Sequence, residues 1–304
     1  MRVGVLGRGF MGRTHLKALA ELPDVEVAAE TDIAKAIADP TVDAVDICLP
    51  TNLHAPVAIE ALRAGKHVLV EKPMAIDKDA AWQMIAQAKK QKRVLMAAQV
   101  LRFFPMYVAL RELLLSGRTG KPWWAMFRRR CAAPAWAAWM IDPEQSGGGV
   151  FDLLIHDIDL CLHLFGKPES VTATGYEALT TGVDVITAEL HYGGGLNAVI
   201  TGGWHHPKSY PFSMEYTVVA ENGTVEYSSL GCAPTLYLAD GGVEMLVTKE
   251  QDGYRAEIEY FLDCCRRSES PSLCPPEESA NAVALALWML EARRRNGQRI
   301  RCQL

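Results

Sequence analysis

Over the first 120 residues, short apolar runs alternate with stretches whose apolar residues recur every three or four positions. RVGVLG, VEVAAE, AVDICLP, HVLVEKP and VLMAAQV read as strands. The intervening MGRTHLKALAEL, HAPVAIEALRAG, DAAWQMIAQAKKQKR and PMYVALRELLLSG read as helices. Pro23 and Asp24 mark a turn, Pro50 and Thr51 open a helix, and Gly65 can close it. This alternation predicts an α/β domain with a parallel sheet covered on both faces, over residues 1–120. From Lys121 the pattern changes to strand-like segments (PWWAMFRRR, SVTATGYEA, VITAELHY, LNAVITGGW, MEYTVVAENGTVEY, TLYLADGGVEMLV). Glycine turns such as Glu221-Asn222-Gly223 and Asp240-Gly241-Gly242 join them. One helix opens this region after Gly147, one spans roughly Ser279 to Asn296, and a third covers Tyr254 to Arg266. Residues 121–304 therefore read as an α+β domain on a mostly antiparallel open sheet.

A length of 304 residues accommodates two cores, and a formal charge of −5 leaves no footprint for nucleic acid. The one basic run, Arg128 to Arg130, reads as a solvated strand edge, with anion binding by Arg130 as the alternative. No segment approaches the ~20 apolar residues of a membrane span. The N-terminal MRVGVLGRGF reaches glycine too early for a signal peptide, so the expectation is a cytoplasmic protein with no membrane partner. Eight cysteines, among them Cys48 and Cys161 in regular segments, read as reduced apolar side chains. Cys264, Cys265 and Cys274 lack the spacing of a structural zinc site.

The stretch GGGVFDLLIHDIDLCLH places Asp152, His156, Asp159 and His163 within a sector of roughly 60° of one helix, between apolar flanks. Such a stripe faces a cavity or a polar partner, or its members satisfy one another in the interior. Three ligands in so narrow a sector approach a metal from one side only, and no partner motif completes a shell, so no metal is expected.

GRGFMG matches G-x-G-x-x-G through Gly7, Gly9 and Gly12 and sits between a strand and a helix, the context of a dinucleotide site. An acid near the end of the second strand would accept from the adenosine ribose. Asp32 lies 20 residues after Gly12, with Glu30 close by. A carboxylate there favours NAD over NADP, whereas Arg8 could pair with a 2′-phosphate. Lys72 ends the strand HVLVEK, at the edge where open α/β sheets bind ligands, beside Glu71 and Pro73. An ammonium there could polarise a substrate oxygen, with His156 moving the proton and Asp152, one turn earlier, orienting its ring.

Together GRGFMGRTH, DAVDICLPTNLHAPVAIEALRAGKHVLVEKP, LRFFP, SGGGVFDLLIHDIDL and PPEESANAVALALWMLEARRRNGQ resemble the oxidoreductase family of glucose-fructose oxidoreductase, inositol dehydrogenase and MocA, nearly end to end. The resemblance implies a Rossmann domain followed by an α/β domain whose open sheet mediates dimers or tetramers. It implies Lys72, Asp152 and His156 as catalytic residues and a cis Lys72–Pro73 bond. The expected cofactor-lining set starts with Gly7, Arg8, Gly9, Phe10, Met11 and Gly12 and the acids Glu30 and Asp32. Pro50, Thr51, Asn52, His54, Glu71, Lys72 and Gln99 complete it.

One departure stands out. VEVAAE runs directly into TDIAKAIADP, so roughly 20 or more residues, one strand-helix unit at the sheet edge, are missing relative to the family. Asp32 is either the ribose acid or part of the later segment, in which case Glu30 takes that place. Weaker cofactor binding or an altered NAD/NADP choice follows. The expected function is an NAD(P)-dependent dehydrogenase or reductase of a sugar, cyclitol or related polyhydroxy compound. The alternatives are a glycoside hydrolase working by transient oxidation and a non-catalytic dinucleotide-binding regulator. Trp139, Trp204, His205 and Tyr176 are candidates for the substrate pocket, although aromatic residues in β-rich domains are more often core.

Overall fold

The computed structural model describes residues 1–135 and 137–304. The chain begins with β1 (Arg2–Leu6), α1 (Phe10–Ala20), β2 (Glu26–Val27), α2 (Ile33–Ala38), β3 (Ala44–Ile47) and α3 (His54–Arg63). It continues with β4 (His67–Glu71), α4 (Lys78–Gln91) and β5 (Leu95–Ala98). These five strands form one parallel sheet in the order β2-β1-β3-β4-β5. β3, β4 and β5 are buried along their whole length, which is why they read as unbroken apolar runs. The doubly wound order 3-2-1-4-5-6 without its outermost strand is this sheet, so the shortening read from the sequence lies at the edge beside β2. β2 is correspondingly slight: two paired residues, prolonged only by Ala28 N–H donating to Val3 O at 2.9 Å.

The chain then forms α5 (Pro105–Leu115), β6 (Pro122–Cys131), α6 (Pro143–Ser146), a π-helical turn (Val150–Leu154) and α7 (Ile155–Phe165). β7 (Ser170–Ala178), β8 (Val183–His191), β9 (Asn197–Trp204), β10 (Ser213–Ala220), β11 (Gly223–Ser228), β12 (Cys232–Leu238) and β13 (Val243–Met245) follow. α8 (Gly253–Arg267), α9 (Pro276–Arg294) and β14 (Ile300–Arg301) end the chain. The second sheet runs β13-β12-β11-β10-β6-β9-β8-β7-β14 and is antiparallel except for the β6–β9 pair.

Two compact units result: Met1–Phe104 with Gln251–Val283, and Pro105–Glu250 with Ala284–Leu304. The expected boundary at Gly120 is therefore corrected in two respects. α5 belongs to the second unit, where Tyr107 packs on Tyr216 and Tyr227 with ring centroids 5.5 and 6.0 Å apart. α8 returns to the first unit, because a parallel sheet needs cover on both faces and α1 has apolar surface left to bury. Ile258, Phe261, Leu262 and Cys265 of α8 join Leu19 and Leu22 in one core. Full burial of each large apolar side chain contributes about 1.5–3 kcal/mol. Asp252 caps α8 by accepting from the backbone N–H of Tyr254 at 2.8 Å.

The basic run is also corrected. β6 lies inside the sheet, between β10 and β9, so alternate residues face opposite sides. Arg129 is buried and grips Asp157 of α7 with two hydrogen bonds of 2.9 and 3.0 Å. Arg128 and Arg130, on the other face, both pair with Glu215 of β10. All eight cysteines are free thiols.

Candidate functional site

The first unit presents the carboxyl ends of its strands as one edge. Gly7 follows β1, Pro50 and Thr51 follow β3, Glu71 ends β4 with Lys72 next, and Gln99 follows β5. The three glycines have separate reasons to be glycine. Gly7 has φ +101°, and a Cβ on it would lie 2.3 Å from Cys48 O. A Cβ on Gly12 would lie 2.1 Å from Gly7 O, so α1 packs against its own approach loop only without a side chain there. Gly9, by contrast, has φ −68° and nothing within 4 Å of a Cβ position. Its lack of a side chain serves nothing inside the protein. It leaves clear the N-terminus of an eleven-residue helix that has no side-chain cap, where an anion is favoured. Arg8 and Phe10 flank this opening in exposed positions.

The two candidate acids differ. Asp32 caps α2, accepting from Lys35 N–H at 2.9 Å. Glu30 lies just beyond β2, where its Oε1 accepts from the N–H groups of Thr31 and Asp32 at 2.8 Å each, an arrangement that holds the carboxylate in place. Asn52 is exposed and Thr51 buried. His54 is buried too, with its ring nitrogens 2.8 Å from the carbonyls of Pro73 and Leu49, so it ties the loop after β3 to the turn after β4. Burial keeps its pKa below the usual histidine value. The Lys72–Pro73 bond is cis, as the resemblance implied. Gln99 is 1 % exposed, and its side-chain amide has no hydrogen-bond partner among the described residues.

A buried group behind this edge escaped sequence reasoning. His15 of α1 is fully enclosed, its Nδ1 2.8 Å from Asp46 Oδ2 of β3 and its Nε2 3.0 Å from Glu71 Oε1. A lone Asp within the apolar strand AVDI and a His on the buried side of α1 were the available signals.

In the second unit, Asp152 lies in the π-helical turn and His156 in the first turn of α7, both half-buried, while Asp159 is buried. A π-helical turn inside a helix is rare and concentrates at functional positions. Its entry is held by residues that sequence reasoning missed. Gly149 N–H donates to Asp184 Oδ2 of β8 at 2.7 Å, and Arg293 of α9 pairs with Asp184 and Glu177. Two glycines of the Gly147-Gly148-Gly149 run follow from this packing. A Cβ on Gly148 would lie 2.8 Å from Asp184 Oδ2, and one on Gly149 would lie 3.2 Å from the Trp204 ring. Trp204 is wholly buried and is corrected from pocket candidate to core, whereas Tyr176 and His205 are exposed and Trp139 is intermediate.

Comparison with known proteins follows the same division. Residues 17–99 match the model of an oxidoreductase family with an NAD-binding Rossmann fold, and residues 107–226 match the GFO/IDH/MocA C-terminal domain. The chain is 26 % identical over 308 residues to myo-inositol 2-dehydrogenase of Thermotoga maritima, covering 90 % of each. It is 29 % identical over 312 residues to UDP-N-acetylglucosamine 3-dehydrogenase of Acidithiobacillus ferrooxidans, covering 94 % of this chain and 95 % of the other. Its fold is shared by levoglucosan dehydrogenase in complex with NADH and levoglucosan, with a TM-score of 0.87, 18 % identity and full coverage of both chains.

Proposed function

The chain belongs to the GFO/IDH/MocA oxidoreductase family, and from that premise we propose that it is an NAD-dependent dehydrogenase of a cyclitol, sugar or related polyhydroxy compound. The observation that carries the reading is the glycine loop, where two glycines are demanded by the protein's own backbone and the third opens onto free space at a helix N-terminus. The backbone around Gly9 to Gly12 would hold the pyrophosphate. Glu30 takes the ribose, since Asp32 is engaged in capping α2. Pro50, Asn52 and Gln99 belong to the same edge and complete the binding residues. When bound, the nicotinamide supplies the hydride acceptor or donor.

In this reading Lys72 donates to the substrate oxygen and stabilises its developing negative charge. His156 takes or returns the hydroxyl proton, and Asp152 orients its ring. A second copy of the chain is the expected partner, as homodimer or homotetramer, through the open face of the second sheet. Half-exposed Trp124 and the Arg128–Glu215–Arg130 cluster support that surface. Eight free thiols favour a reducing, cytoplasmic setting.

The test is titration of the purified protein with NADH and NADPH, followed by turnover of myo-inositol and related polyols with NAD. Tight NADH binding and NADH formation that disappears in Lys72→Ala support the reading. Failure to bind either nucleotide overturns it.

A further inference from the structure

His15 is a buried histidine placed between two acids, and its surroundings fix its charge. Nδ1 is 2.8 Å from Asp46 Oδ2, and Nε2 is 3.0 Å from Glu71 Oε1, the second contact lying off the line of a straight hydrogen bond. A neutral imidazole carries a lone pair on one nitrogen, which here would face a carboxylate at contact distance. An imidazolium presents N–H groups to both. Burial opposes that charge, yet Asp46, followed by hydrogen bonds to Cys48 and Glu71, raises the pKa of His15 well above the usual value. On the α8 side, Tyr254 lies within electrostatic reach of the buried carboxylate of Glu257, which is common to the wild type and the variants below. Burial, with Asp46, keeps the Cys48 thiol protonated, and burial pushes Tyr254 of α8, whose ring lies 6.4 Å from His15, up to about 12.

The other end of the clasp is the chemistry-bearing edge. Glu71 Oε2 accepts the backbone N–H of Lys72 at 3.0 Å. Burial would raise Glu71, but His15, and then Lys72 and His54, hold it below the usual carboxylate range.

We propose that His15, as an imidazolium clasped between Asp46 and Glu71, is a positioning residue that fixes the Glu71 carboxylate and sets the charge balance around Lys72. The proposal rests on the reading of Lys72 as the group that polarises the substrate, but its test does not require turnover. One imidazolium between two carboxylates leaves a single net negative charge beside Lys72. His15→Gln leaves two, and adding Glu71→Gln returns the count to one.

The experiment measures the rate at which acetic anhydride acetylates Lys72, read by peptide mass spectrometry at one mildly alkaline pH, in the full chain. His15→Gln should slow Lys72 several-fold, because the extra anion favours the unreactive ammonium, while lysines elsewhere such as Lys89 are unaffected. The double variant should recover toward the wild-type rate, which a merely loosened core would not do. An unchanged rate in His15→Gln, or a double variant as slow as the single one, overturns the proposal. Should His15→Gln fail to fold, nitrogen-15 spectra of histidine-labelled wild type decide the matter. A buried ring protonated on both nitrogens at pH 8 supports the clasp, and only singly protonated buried rings overturn it. Absence of polyol turnover by the wild type would remove the functional reading without touching either measurement.

Discussion

Gly9 and Gly12, three residues apart in one loop, should respond to the same substitution in opposite ways. In Gly9→Ala the new methyl enters open space at φ −68°, a backbone angle that alanine adopts freely. The unfolded chain loses freedom, so stability stays level or rises by about 0.4–1 kcal/mol. The methyl would occupy the approach to the helix N-terminus, and NADH affinity should fall at least tenfold, or about 1.4 kcal/mol. In Gly12→Ala the methyl meets Gly7 O at 2.1 Å, backbone against backbone, so α1 and the loop must separate. Overpacking of that kind costs about 1–3 kcal/mol and, at about 2–4 °C per kcal/mol, lowers the melting temperature by several degrees. Calorimetry without nucleotide and tryptophan-sensitised NADH fluorescence separate the two quantities. A Gly9→Ala protein that binds NADH like wild type, or a Gly12→Ala protein that melts like it, would refute the division of labour among the glycines.

Three further outcomes follow from the geometry. Asp157→Ala leaves the buried Arg129 guanidinium without its bidentate partner and should cost about 3–5 kcal/mol in urea unfolding, whereas Arg129→Met with Asp157→Leu should recover most of it. Glu30→Ala should weaken NADH more than NADPH with little change in melting, while Asp32→Ala should cost about 1 kcal/mol of stability through its lost cap and leave nucleotide affinity nearly intact. The His15 and Glu71 shifts have opposite pH signatures. The raised His15 value contributes stability that is full below about pH 6.5, its unfolded value, and fades as pH rises toward the folded one. The lowered Glu71 value contributes above its unfolded value, about pH 4.3, and is lost as pH falls through the folded one. Denaturation of His15→Gln across pH should therefore lack the alkaline decline, and persistence of that decline would remove His15 as its source.

The parts of this molecule that local pattern controls were legible from the chain: the strand-helix alternation, the glycine loop, the shortened sheet edge and the polar stripe. What stayed hidden depends on partners far apart in sequence. Arg129 looked like one of three solvated bases because its pairing with Asp157 depends on which side of an interior strand it faces. Asp184, which holds the entry to the π-helical turn, sits in a segment with no motif of its own, and its partner Arg293 is one of three consecutive arginines that the sequence does not tell apart. Glu30 and Asp32 stayed undistinguished because spacing alone does not show which acid caps a helix, and the cap became visible only through the Lys35 N–H contact to Asp32. His15 and Asp46 could have been flagged as polar residues on buried faces, but their common link to Glu71 needed three elements to be placed at once.

The return of α8 to the first unit has a consequence for the protein as it is made. On the ribosome, Leu19 and Leu22 emerge early, while Ile258, Phe261 and Leu262, which cover them, wait until all of β6 to β13 has been synthesised. At about 5–20 residues per second that interval lasts roughly 10–50 s. The amino-terminal unit thus stays incomplete until nearly the whole chain has been made, and a nascent chain arrested before Gln251 carries an uncovered apolar helix face open to non-native contacts.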